Sequence, residues 1–137
     1  MAKFEIKNGV AVIPEGTTTI GDYAFSDCSS LQSITIPEGV TAIGWEAFEN
    51  CSSLQSIVIP KGVKKIEEDA FEGCAALTTI TLSIGVNKID EGAFTECEAL
   101  TTIYVPAKKT DYYKQRLPEK LHSLIVELQP EKKAKKK

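Results

Sequence analysis

Four cysteines are the first residues in this chain that could do chemistry. Cys28, Cys51, Cys74 and Cys97 follow one another at a constant step of 23 residues. Zinc sites draw on close pairs such as Cys-x2-Cys, so single cysteines this far apart do not form a metal motif. If successive units stack about 4.8 Å apart, their Cα atoms come within disulfide range. Parallel side chains nevertheless disfavour the disulfide torsion. The pattern therefore reads as a buried, reduced ladder, with no metal and no cofactor. His122 is the only histidine, and no motif holds a Ser or Cys nucleophile beside it. A general-base role has nothing to act on, and no catalytic residue is assigned. The acidic residues Glu67, Glu68, Asp69, Glu72, Asp90, Glu91, Glu96 and Glu98 gather near the turns. Weak calcium binding is one reading of them. A solvated face is the better one, because no loop supplies a fixed ligand set. No glycine-rich loop cradles a phosphate; the glycines fall at turns.

The elements that position these residues come from one repeat. The 23-residue step also relates Phe25, Phe48, Phe71 and Phe94, and it relates Leu31, Leu54, Leu77 and Leu100. Ile20, Ile43, Ile66 and Ile89 form a further column, as do Ile34, Ile57, Ile80 and Ile103. Units 14–36 and 37–59 are identical at 16 of 23 positions. Alternation at Ile34 and Ile36 predicts a short strand with one buried face, ended by Pro37, which lacks a backbone donor. A turn then enters a second extended piece, Gly39 to Ile43. Ala47 to Cys51 is spaced as a single helical or 3₁₀ turn. Twenty-three residues thus make one coil of strand, return leg and corner. A single coil buries too little to offset the entropy of ordering it, so neighbouring coils must stack and share their burial.

The pattern Leu-x-x-Ile-x-Ile-Pro-x-Gly-Val-x-x-Ile-Gly-x-x-Ala-Phe-x-x-Cys-x-x-Leu resembles the BspA-type leucine-rich repeat. It runs cleanly from Ile36 to Leu54 and recurs through Val105. Thr17 stands for the Val, Ser83 for the Pro, and Glu67 and Asp90 for the Gly. The resemblance implies a right-handed superhelix with a parallel concave sheet. With the coil read above, the expected class is an α/β repeat solenoid with short return strands and short helical corners. The family also implies bacterial or protist surface proteins that bind other proteins or host matrix.

Four units span residues 14–105, between two end segments. Phe4 to Ile13 reads as a hairpin about Asn8-Gly9, so 1–13 is an N-terminal cap. Pairing Lys7 with Val10 sets Ile6 opposite Ala11 and Phe4 opposite Ile13. The period fails after Val105, and 106–128 reads as a C-terminal cap. It holds a short helix with Thr110 as its cap, a turn after Pro118 and, at Leu124–Leu128, a final strand or a helix end, of which the strand is the better reading. Residues 129–137 read as a disordered lysine-rich tail.

Composition sets the outer bounds. The chain has 137 residues, 42% hydrophobic and 26% charged, with a net charge of −3. That mean conceals 14 acidic and 4 basic residues in 14–105, against 4 acidic and 10 basic in 106–137. Few aromatics, one His and one Met speak against an enzyme. No apolar run is long enough for a membrane span. The first residues lack the apolar stretch of a secretory signal, which sets the visible sequence against the cell-surface or secreted location that the family implies.

The outward strand positions carry the remaining information. They form three columns: Gln32, Gln55, Thr78 and Thr101; Ser33, Ser56, Thr79 and Thr102; and Val12, Thr35, Val58, Thr81 and Tyr104. They are uncharged and hydroxyl-rich, as β-propensity alone would also favour. As a docking surface they suit a protein, such as a host or matrix protein, or a glycan better than nucleic acid, with Tyr104 as anchor. The function expected is a non-catalytic binding module. The alternatives are a structural or designed repeat scaffold and an electrostatic tether through the basic tail.

Overall fold

A computed structural model of the chain describes residues 5–90 and 92–128. Phe4, Glu91 and the lysine-rich segment lie outside the described residues, as does the expected pairing of Phe4 with Ile13.

The chain winds into a parallel β-solenoid of about five turns. One side carries the strands that the Leu-x-x-Ile-x-Ile spacing predicts: β2 (Val10–Val12), β4 (Ser33–Ile34), β6 (Ser56–Val58), β8 (Thr79–Thr81) and β10 (Thr102–Val105). β1 (Glu5–Lys7) joins β2 antiparallel across Asn8-Gly9, with Lys7 opposite Val10 and Ile6 opposite Ala11. Asn8 and Gly9 both take positive φ, 52° and 82°, as a tight hairpin turn demands. The return side carries β3 (Thr19–Ile20), β5 (Ala42–Ile43), β7 (Lys65–Ile66) and β9 (Lys88–Ile89), paired in one continuous sheet. Pairing joins residues one repeat apart, such as Ile43 with Ile66 and Ile57 with Ile80. Each sequence column therefore becomes a physical column.

The corners differ from the expectation of short helices. Residues 22–27, 45–50 and 68–73 form successive turns. Within the second corner, the N–H groups of Ala47, Glu49 and Cys51 donate three residues back, as in a 3₁₀ turn. The alternate N–H groups of Glu46, Phe48 and Asn50 donate instead to Glu68, Ala70 and Glu72 of the next rung. The chain can alternate in this way because Glu46 and Asn50 adopt left-handed φ values of 54° and 59°. Such residues interrupt any helix. The same conformation recurs at Tyr23 and Asp27 and at Asp69 and Gly73. Among the described residues the repeats hold short strands joined by turns, and the helical pieces belong to the C-terminal segment.

Inside, the columns stack on themselves. The Phe rings lie face to face at 5.2, 5.0 and 5.4 Å from Phe25 through Phe94, within 13° of parallel. Leu31, Leu54 and Leu77 are buried, as are Ile20, Ile43 and Ile66. Gly62 lets adjacent turns approach, because a Cβ there would meet the Glu38 carbonyl oxygen at 2.6 Å.

The last rung is closed by α1 (Thr110–Lys114), a 3₁₀ helix (Glu119–Leu124) and β11 (Ile125–Glu127). β11 extends the strand side in parallel with β10, with Tyr104 beside Val126. Lys109, not Thr110, occupies the N-cap position; the Thr110 hydroxyl donates to Glu127 Oε2 at 3.0 Å. Tyr112 donates to the Val86 carbonyl at 2.7 Å, and buried Tyr113 donates to the Ser83 carbonyl. The Arg116 guanidinium lies 3.6 Å over the Tyr112 ring and donates to the Asn87 carbonyl at 3.0 Å. Of these carbonyls, that of Asn87 continues the column Thr18, Thr41 and Lys64, each of which accepts from the next rung.

Candidate functional site

Alternation along each strand sends Ile34, Ile57, Ile80 and Ile103 inward and leaves their neighbours outside. Gln32, Ser33, Thr35, Gln55, Ser56, Val58, Thr78 and Thr101 are exposed, while Thr79, Thr81, Thr102 and Tyr104 are half-buried. Register places Val58, Thr81, Tyr104 and Val126 side by side in one row across β6, β8, β10 and β11. The repeat carries that row back to Thr35 and Val12. Val58 is 60% and Val12 55% exposed. The adjacent row is hydroxylic: Ser33, Ser56, Thr79 and Thr102.

Some of that hydroxyl capacity is already used. Thr78 Oγ1 donates to the Gln55 carbonyl at 3.1 Å, and Thr101 Oγ1 donates to the Thr78 carbonyl at 3.3 Å. These protons reinforce the ladder, and what the two threonines offer outward is acceptor lone pairs.

The corner presents a different surface. Stacking sets Glu46, Glu49, Asp69 and Glu72 close together. Partial burial, followed by the charges of neighbouring acids, raises the carboxyl pKa values of Glu46 and Glu72. Among the described residues no group of three or more His, Cys, Asp or Glu is arranged to hold a metal ion. Two exposed aromatics adjoin this acidic stack and escape a reading focused on strands: Trp45, 52% exposed, and Tyr23. The signal was in the columns, for Trp45 interrupts a series of Asp22, Glu68 and Glu91. Ile84 is a similar exception, exposed where earlier repeats have Glu15, Glu38 and Lys61.

The cysteines form a structural ladder of thiols that no disulfide joins. Sγ of Cys51, Cys74 and Cys97 each donates at 3.1 Å to the carbonyl of Phe25, Phe48 and Phe71 respectively. Cys51 and Cys74 are buried, whereas Cys28 and Cys97, at the ends, are half-buried. Burial pushes the Cys51 thiol up to about 12. Cys74 is also raised, by its hydrogen bond with Cys97 and by burial. Thiols held protonated in this way are poor nucleophiles and poor metal ligands. His122 is held by its Nε2 at 3.0 Å from the Leu117 carbonyl, within the C-terminal segment.

A family model for the BspA-type leucine-rich repeat region matches residues 5–117 in six copies. The chain belongs to this family. Its match runs beyond the four complete units into both end segments. BspA-type repeats generally serve as protein-interaction scaffolds and are generally non-catalytic. A leucine-rich repeat protein from Bacteroides ovatus ATCC 8483 has a similar solved structure, with 31% identity and a TM-score of 0.69. The likeness covers 83% of this chain and 29% of that one. A leucine-rich cell surface protein from Faecalibacterium prausnitzii A2-165 is 29% identical with a TM-score of 0.73, over 93% of this chain and 33% of its own. A leucine-rich repeat protein from Bacteroides capillosus ATCC 29799 is 30% identical with a TM-score of 0.60, over 74% and 91%. The chain therefore spans about a third or less of the first two. No curated protein sequence matches it. Among the described residues no helix is long and apolar enough to cross a membrane.

Proposed function

We propose that this chain is a non-catalytic BspA-type binding module whose uncharged strand side docks a protein or glycan partner, in the manner of a bacterial cell-surface adhesion protein. The observation that carries the reading is the row Val12, Thr35, Val58, Thr81, Tyr104 and Val126. It is an apolar-to-hydroxylic strip whose valines remain exposed although the fold does not need them outside. Tyr104 is the anchor, with a broad ring and a polar tip on a rigid strand. Gln32, Ser33, Gln55, Ser56, Thr79 and Thr102 flank the row and supply hydrogen-bonding groups. The acidic corner sets the charge around this face and disfavours anionic partners, nucleic acid among them. The likeness to a cell surface protein of F. prausnitzii agrees with an external role.

The test is solid-phase capture against a panel of immobilised host matrix proteins and glycans. Tyr104→Ala should weaken capture of the bound member at least about tenfold, as loss of a hot-spot aromatic does. The circular dichroism spectrum should remain that of the parent. Unchanged capture would overturn the reading. Capture that fell steeply with salt would instead indicate the basic segment as the binding element.

A further inference from the structure

Hydrogen bonds repeat from rung to rung around the coil, and among the described residues two strand-side series are incomplete. On the return side, Thr41 donates to Thr18, Lys64 to Thr41 and Asn87 to Lys64, at 2.8 to 2.9 Å. At the corner, Phe25 donates to Ala47, Phe48 to Ala70 and Phe71 to Ala93, at 2.7 to 2.8 Å. On the strand side, Gln32 donates to Gly9, Thr78 to Gln55 and Thr101 to Thr78. The missing member would join Gln55 to Gln32. A second strand-side series, Ile59 to Thr81 and Leu82 to Tyr104, lacks its members at both earlier rungs, from Ile36 to Val58 and from Ile13 to Thr35. β2 pairs with β4 and β6 with β8, but β4 and β6 lie in contact without a hydrogen-bonded ladder. Ile34 and Ile36 keep 9% and 6% exposure, against 2% and 0% for Ile57 and Ile59 one rung on; Ile89 and Leu100, toward the other end of the stack, keep 7% each.

Local sequence does not explain the position of the seam, since units 14–36 and 37–59 agree at 16 of 23 positions. The N–H groups of Gln32 and Ser33 both donate to the Gly9 carbonyl, at 2.7 and 3.0 Å, and tie β4 to the hairpin. Thr101 and Thr102 converge on the Thr78 carbonyl in the same way, at 3.0 and 3.2 Å.

We propose that the strand side is built as two plates, β1-β2-β4 and β6-β8-β10-β11, that pivot at the β4–β6 seam. The unbroken return sheet and the Phe stack act as the hinge line. Pivoting changes the angle between Val12 and Thr35 on one plate and Val58 and Tyr104 on the other. The outward face thereby has adjustable curvature on a fixed back. This inference goes beyond the binding reading and stands without it.

Amide exchange measured by NMR on the full chain, with spin-label distances as a second readout, tests it. The N–H groups of Gln55 and Ile36 should exchange at least about tenfold faster than their repeat counterparts Thr78 and Ile59. Nitroxides at Val12 and Val58, across the seam, should give a broader distance distribution than nitroxides at Val58 and Val126 within one plate. All three positions are exposed, so labelling leaves the core intact. Equal protection at the paired amides would overturn the seam. Fast exchange with equally narrow distributions would overturn the pivot.

Discussion

Replacing Phe48 with alanine tests the stacked interior most severely. Phe48 is fully buried and sits between Phe25 and Phe71, at 5.2 and 5.0 Å. Removing the ring loses its burial, leaves a cavity that two neighbouring rungs cannot close, and breaks two stacking contacts. Buried Phe→Ala changes cost about 3–5 kcal/mol, and a cavity walled on both sides belongs at the upper end, about 4–5 kcal/mol. Phe94 provides the internal control. It ends the stack with a single ring partner, Phe71 at 5.4 Å, and retains 5% exposure. With one ring contact fewer, worth about 0.5–1.5 kcal/mol, Phe94→Ala should cost about 3 kcal/mol. Urea denaturation followed by circular dichroism reads both. A single transition with unchanged slope and a lower midpoint reports a pure stability change. Because neighbouring rungs couple, Phe48→Ala should lower the midpoint more than Phe94→Ala. Equal losses, or a loss below about 2 kcal/mol at Phe48, would refute the reasoning that each ring is held by the rungs on both sides.

Three further outcomes follow from the same geometry. Tyr113→Phe should destabilise the chain by about 1–3 kcal/mol in urea titrations, because the Ser83 carbonyl loses its hydroxyl donor under a buried ring. For Glu72, the folded-state pKa is raised by partial burial and by the Asp69 and Glu49 charges. Stability linked to this group is present below its unfolded pKa and is lost as pH rises through the folded one. Glu72→Gln should therefore raise the melting temperature at pH 7, and the gain should disappear near pH 4 in a scan of thermal melts. Cys51, with its thiol pushed up to about 12, should resist a thiol reagent at pH 8 in the native state and react after unfolding, as peptide mass mapping would report.

How much of this was legible in the sequence depends on whether a feature is set by the repeat. Ile34, Ile57, Ile80 and Ile103 share one column, and a constant repeat can stack only like on like. The solenoid and its parallel register follow from that. The corners depart from a plain helical or 3₁₀ turn for a definite reason. Ala47, Phe48 and Cys51 are spaced like one helical turn, but alternate N–H groups leave for the next rung. Local periodicity carries no trace of bonds made 22 residues away, as from Phe48 to Ala70. The left-handed residues that permit the alternation include Glu46 and Tyr23, which no turn rule singles out. On the candidate face, alternation alone sends Val58 and Tyr104 outward. The donation from Thr78 Oγ1 to the Gln55 carbonyl depends on rung spacing and rotamer, which composition does not encode. Trp45 was visible as a break in its column, but its exposure follows from the turn conformation of the corner.

The strand side and the corner are the two surfaces that could bind, and a paired charge insertion separates them. Val58→Glu places a carboxylate in the middle of the outward row, and Trp45→Glu places one among the corner acids, each at an exposed position. Capture of the immobilised partner should be lost with Val58→Glu and retained with Trp45→Glu, with both variants melting as the parent does. Capture retained by Val58→Glu and lost by Trp45→Glu would place the interface at the corner and contradict the account.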